Sequence, residues 1–171
     1  MPPLPVREPL TPEDVETITR QLGRAPRAAI AVASRCPCGS PAVVQTSPRL
    51  PDGTPFPTLY YLTCRRAASA IGALESSGLM RDMEARLAED ADLAAHYRRA
   101  HESYVAERET LQSVTEVGGV SAGGMPSRVK CLHVLAAHSL ACGPGVNPLG
   151  DEVVAALGEW WAAGPCAEGQ E

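Results

Sequence analysis

Three strand-forming runs, 27–34 (RAAIAVAS), 42–46 (AVVQT) and 58–63 (TLYYLT), follow one another with little between them. The first gap holds the tight turn CPCGSP (36–41), and the second holds a Pro/Gly-rich loop from Ser47 to Pro57. Neither connection is long enough to carry a crossover helix, which a parallel neighbour would need. The runs themselves favour β-branched and aromatic residues, the types that suit a pleated, half-buried surface. An antiparallel meander of three strands is the expected result.

Helical patterns lie on either side of the meander. Thr11 with Asp14 forms a capping pattern, Pro12 stands at the first helical position, and Val15, Ile18 and Leu22 recur at helical spacing until Gly23. A second helix is expected from about Ala67 to Ser77, ended by Gly78. The stretch 80–111 carries an apolar stripe through Met83, Leu87, Tyr97 and Tyr104, with a break near Asp90 and Asp92, both good caps. Residues 112–125 read as a glycine-rich loop, Pro126 opens a helix to about Cys142, GPGVNPLG (143–150) is a turn-rich connection, and 151–162 form a last helix. The turn Asn147-Pro148-Leu149-Gly150 is expected to set the geometry between the last two helices. The fold class is therefore α+β: a small antiparallel three-stranded sheet packed against about five helices. The expected organisation is one domain over 11–163, a flexible proline-rich N-terminus over 1–10 and a disordered tail over 164–171, with no internal repeat.

Composition narrows the function. Aromatics are only 4% of the chain, so the core must rest on Leu, Val, Ile, Met and abundant Ala, which favours closely packed helices. The net charge is −5 and no basic block exists, which argues against a dedicated nucleic-acid surface. No apolar run approaches ~20 residues, so membrane insertion is not expected. The stretch 1–16 has no apolar h-region and does not read as a signal peptide, so the cytoplasm is the expected location. Six cysteines in a reducing compartment read as metal ligands or reactive thiols before disulfides.

Zinc asks for four thiolate or imidazole ligands in a tetrahedron. Cys36 and Cys38 flank a proline in a turn, Cys64 ends the third strand, and Cys131 and His133 lie late in the chain. Element ends can converge, so the expected metal set is Cys36, Cys38, Cys64 and Cys131, with His133 as the alternative fourth ligand. If 126–142 is helical throughout, His133 points nearly opposite Cys131 and the two cannot share an ion, while His138 stands about 10 Å along the axis from Cys131. Cys166 is given no role.

The segments CPCGSPAVV (36–44), DGTPFPTLYYLTC (52–64), AHESYVAER (100–108), GGMPSRVKCLHVLAAHSLA (123–141) and NPLG (147–150) resemble, in order, the bacterial family catalogued as domain of unknown function 501, its actinobacterial members above all. The resemblance covers roughly residues 5–160. In that family the position of Cys64 holds Cys or His, an exchange that a zinc ligand tolerates. It is usually followed by Pro, where this chain has Arg65. Members are often encoded beside septum-formation-initiator-like and exopolyphosphatase-like genes. The resemblance thus leaves room for a rival reading, a non-catalytic adaptor with a protein partner in cell division or envelope processes, although nothing in this chain resembles the coiled-coil initiator itself.

Other chemistry has weaker support. Cys131, preceded by Arg128 and Lys130 near a helix start, could serve a metal-free transferase or hydrolase as nucleophile, with His133 or His138 as base. Gly123 and Gly124 with Arg128 and Lys130 could bind an anion at a helix N-terminus, but no P-loop ending and no G-x-G-x-x-G occur. His101, Tyr104 and Arg108 share one helix face and could line a pocket, though such residues more often anchor helix packing. Trp160 and Trp161 read as one core and one surface aromatic. Neither a substrate nor a reaction follows from the residues alone.

Overall fold

The computed structural model describes residues 6–166. Its elements in chain order are β1 (Glu8–Pro9), α1 (Pro12–Leu22), β2 (Ala29–Arg35), β3 (Pro41–Thr46), β4 (Tyr60–Leu62), α2 (Arg65–Glu75), α3 (Leu79–Glu89), α4 (Ala91–Leu111), α5 (Leu132–Cys142) and α6 (Pro148–Leu157). A short 3-10 turn at Thr115–Val117 follows α4. The sheet is antiparallel throughout in the order β1-β2-β3-β4. The α+β class and the meander stand, with four strands in place of three and six helices in place of about five. No helix among the described residues is long and apolar enough to cross a membrane.

Local chemistry sets several boundaries where the sequence puts them. Thr11 and Asp14 form the reciprocal capping box at the start of α1, and Gly23 ends it in the left-handed conformation. Asp90 separates α3 from α4 because its carboxylate accepts from the amides of Asp92 and Leu93. β3 is buried at all six positions, since it pairs on both edges and is covered by helices. That is why its sequence runs apolar without alternating.

The extra strand comes from the segment expected to be a flexible lead-in. Of residues 1–10, the first five lie outside the described residues, but β1 pairs with β2 through Glu8 with Val32 and Pro9 with Ala31. Arg7, just before it, enters a buried polar cluster. Its guanidinium donates to Glu107 Oε1 at 2.9 Å, to the Tyr60 hydroxyl and to the Ala141 carbonyl, and it lies over the Tyr60 ring. Gln45 Nε2 donates to the same Glu107 oxygen at 3.1 Å.

α5 is the central helix, buried on most sides, which explains why it lacks an apolar stripe. It begins at Leu132, six residues later than Pro126 suggests. The α6 boundary also moves: Asn147 is its N-cap, accepting from the Gly150 amide at 3.0 Å, so Pro148 to Gly150 form its first turn and not a connection. Gly150 is there for space. A Cβ at this position would stand 2.2 Å from the Leu135 carbonyl oxygen and 2.4 Å from Ser139 Oγ. Gly150→Ala should therefore force α6 off α5 and destabilise the fold by about 1–3 kcal/mol, as overpacking does. Thermal unfolding checks this, and an unchanged melting temperature would refute the close approach.

Candidate metal centre

The thiols gather at the junction of the first strand turn with α2. Cys36 directly follows β2, and its amide donates to the Ser40 carbonyl while the Gly39 amide donates back to the Cys36 carbonyl. Gly39 supplies the left-handed residue (φ +91) that this reversal requires. Cys64 follows β4 and caps α2, and the Ala68 amide donates to its carbonyl. Both thiols are thus fixed by backbone hydrogen bonds on either side of the β3–β4 pairing.

The third sulfur belongs to Cys166. It is 1% exposed, and its Sγ lies 3.3 Å from Cys36 Sγ. The sulfurs of Cys36, Cys64 and Cys166 all fall within 4.8 Å of one another. The segment that carries Cys166 is seated on α2, where Arg66 Nε donates to the Pro165 carbonyl at 3.4 Å. This corrects the sequence reading, which gave Cys166 no role. The final five residues of the expected tail lie outside the described residues.

Cys38 stands on the exposed side of the same turn, outside the three sulfurs that lie within 4.8 Å of one another. Burial opposes its ionisation, but hydrogen bonds from the backbone of Cys166 and Ser40 and from the side chains of Ser40 and Cys36 outweigh it and hold the thiol at about 6. Burial pushes the Cys36 and Cys166 thiols up, and in Cys166 the neighbouring sulfurs push the same way. The three buried sulfurs share one small volume in which negative charge on all of them would be costly without a cation.

The three sulfurs could hold a metal ion. Zn–S bonds of about 2.3 Å in a tetrahedron put the sulfurs ~3.8 Å apart, close to the spacing found here. All six cysteines are free thiols.

Cys131 and His133 do not join this group. They stand with Glu75 in a second cluster, also within 4.8 Å. Cys131 is the N-cap of α5 in extended backbone, not a residue inside a helix, so it and His133 can meet. His133 Nε2 lies 3.0 Å from the Ala68 carbonyl, which can only accept, and Nδ1 lies 3.0 Å from Glu75 Oε1. An oxygen partner at each ring nitrogen favours the doubly protonated imidazolium over a metal ligand. Its pKa rises to about 9, first through the hydrogen bond with Cys131, then against burial through the bond with Glu75. The expected single site thus divides into a sulfur centre and a thiol–imidazole–carboxylate cluster.

The remaining candidates serve the fold. No helix starts at Pro126, and the amides of Arg128 and Lys130 donate to the carbonyls of Gly124 and Gly123, so they are not free for an anion. Gly124 is needed for close approach, since a Cβ there would stand 2.7 Å from the Arg128 carbonyl oxygen. Arg128 itself pairs with Glu84. His101 bonds Ser121, Tyr104 accepts from the Leu59 amide at 2.6 Å, and Arg108, 1% exposed, donates to the carbonyls of Pro57 and Val117. These three tie α4 to the loops around it.

His138 is fully buried between Tyr60 and Tyr104, and burial lowers its pKa to about 3. Asn147 donates to its Nδ1 at 3.2 Å, so it is a neutral core residue and not a base. Trp160 and Trp161 are both half-buried and pack edge to face, in place of one core and one surface ring.

The cysteine at position 166 escaped the sequence reading because no spacing links it to the C-x-C turn 130 residues earlier. The only available signal was arithmetic: a turn with two cysteines and a strand end with one leave a zinc set short by one.

Comparison with curated proteins gave no match, and neither did comparison with solved structures. The model of the family described as protein of unknown function (DUF501) matches residues 32–155, most of the chain and every element from β3 to α5. With Cys36, Cys64 and the Cys131 cluster inside that match and Cys166 beyond it, the chain belongs to the DUF501 family.

Proposed function

We propose that this protein binds one zinc ion through Cys36, Cys38, Cys64 and Cys166, and that the ion is an architectural element. The observation that carries the reading is the convergence of three buried sulfurs from a strand turn, a helix cap and the C-terminal segment within 4.8 Å. Four protein thiolates close a tetrahedral site and leave no position for water or substrate, which is the signature of a structural centre. The ion would clamp residues 164–166 and the start of α2 to the β2–β3 turn. A reducing compartment such as the cytoplasm suits such a site, because it keeps the thiols available to the metal.

Elemental analysis of the purified protein, combined with thiol titration, tests this. One zinc per chain is expected, with Cys131 titrating readily, Cys142 slowed by its burial beside Tyr60 and Glu107 whether or not metal is bound, and Cys36, Cys38, Cys64 and Cys166 appearing only after chelation. Absence of metal, with thiol reactivity unchanged by chelation, would exclude the site.

A further inference from the structure

Cys131 opens onto a cavity of about 380 Å³ between the sheet, α1, α2 and the start of α5. His133 and Val134 line it from α5, Tyr61 and Leu62 from β4, and Arg65 stands at the α2 side. The walls are mostly apolar, and Arg65 adds a cationic group beside His133. Across from Cys131, Glu75 accepts from the Leu132 amide at 2.8 Å and from the His133 ring, so one carboxylate fixes both the helix start and the imidazole.

This combination is more than a buried thiol. A positively charged imidazole held by a carboxylate, beside a cysteine at the rim of a cavity, is the arrangement that activates sulfur nucleophiles. A cavity with an apolar wall beside the sulfur suits an acyl chain, and a soft nucleophile suits the carbonyl of a thioester. We propose that Cys131 is an acyl-accepting nucleophile for small thioesters, with His133 as its proton partner and Glu75 as the residue that positions the ring.

In the first step Cys131, reacting as the thiolate of a thiolate–imidazolium ion pair with His133, bonds to the thioester carbonyl carbon, the substrate carbon–sulfur bond breaks, and the leaving thiolate takes a proton from the His133 imidazolium. Water then adds to the acyl-cysteine while the neutral imidazole takes its proton. The bond to Cys131 breaks, releasing a carboxylic acid and restoring the ion pair. The net change is thioester and water to acid and thiol, with no redox partner.

The test uses the full metal-loaded chain and the butyryl thioester of N-acetylcysteamine. The expected result is a burst of one thiol per chain with the butyryl group on Cys131 in peptide mass maps. His133→Gln should slow acylation at least tenfold at an unchanged melting temperature. The groups facing the ring are Cys131, Glu75 and the Ala68 carbonyl, with Arg65 across the cavity. Glu75→Gln should therefore move the alkaline limb of the acylation pH profile to lower pH, a change that a purely structural role would not produce. Butyryl groups spread evenly over the cysteines, no acylation at all, or a rate unchanged in His133→Gln would overturn the proposal.

Discussion

Cys64→Ser is expected to release the metal and lower the melting temperature by roughly 10 °C or more. Cys64 is fully buried, its backbone caps α2, and its sulfur is one of the three that meet within 4.8 Å. Serine keeps the shape and the backbone bonds but offers a hydroxyl that does not ionise as a ligand. The binding energy of a structural zinc is folding energy. A loss of several kcal/mol translates at ~2–4 °C per kcal/mol for a chain of this size. Cys38→Ser should act more mildly, weakening the affinity without emptying the site, because Cys38 sits on the exposed side and water can take its place. Cys142→Ser, outside the cluster, should leave the metal content alone. Metal retained at full stoichiometry in Cys64→Ser would remove that residue from the set.

Separating Arg7 from Glu107 is expected to have the next largest effect. Their side chains are 10% and 5% exposed, and no other cation reaches Glu107 among the described hydrogen bonds. Breaking one side of a buried ion pair leaves the other charge stranded and typically destabilises by about 3–5 kcal/mol. Glu107→Gln should therefore lower the urea midpoint sharply, and Arg7→Met should do much the same. The double variant should recover part of the loss, because no stranded charge remains. Strictly additive losses around this cycle would mean that the pair contributes nothing as a pair.

The elements that could be read from the sequence are those decided locally. The Thr11 capping box, the Asp90 cap and the β-rich runs around β3 and β4 depend on neighbours within a few positions, and each was foreseeable. The start of α5 was not, because Gly123 and Gly124 allow the chain to fold back on Arg128 and Lys130 before the helix begins. Pro126 at a plausible first position concealed this. The same displacement decided the site. With Cys131 on the cap and His133 in the first turn, the two meet at Glu75 and not on opposite faces of a helix. β1 was missed because two residues, one of them proline, carry no strand signal, and the segment is held by long-range contacts of Arg7 and Glu8 that no local pattern announces. Three of the four proposed zinc ligands were legible as element ends. The fourth was not, since only tertiary packing brings residue 166 back to residue 36.

That return has a mechanical meaning. The two sulfurs that approach to 3.3 Å are separated by 130 positions, so a metal bridging them would turn almost the whole domain into a closed ring. Ring closure on this scale withdraws roughly 4–5 kcal/mol of freedom from the denatured chain in the simplest entropic picture. It would also redirect force. A pull on the C-terminal end would reach the β2–β3 turn directly and bypass α6, so the last helix would be shielded from unwinding until the sulfur–metal bonds gave way.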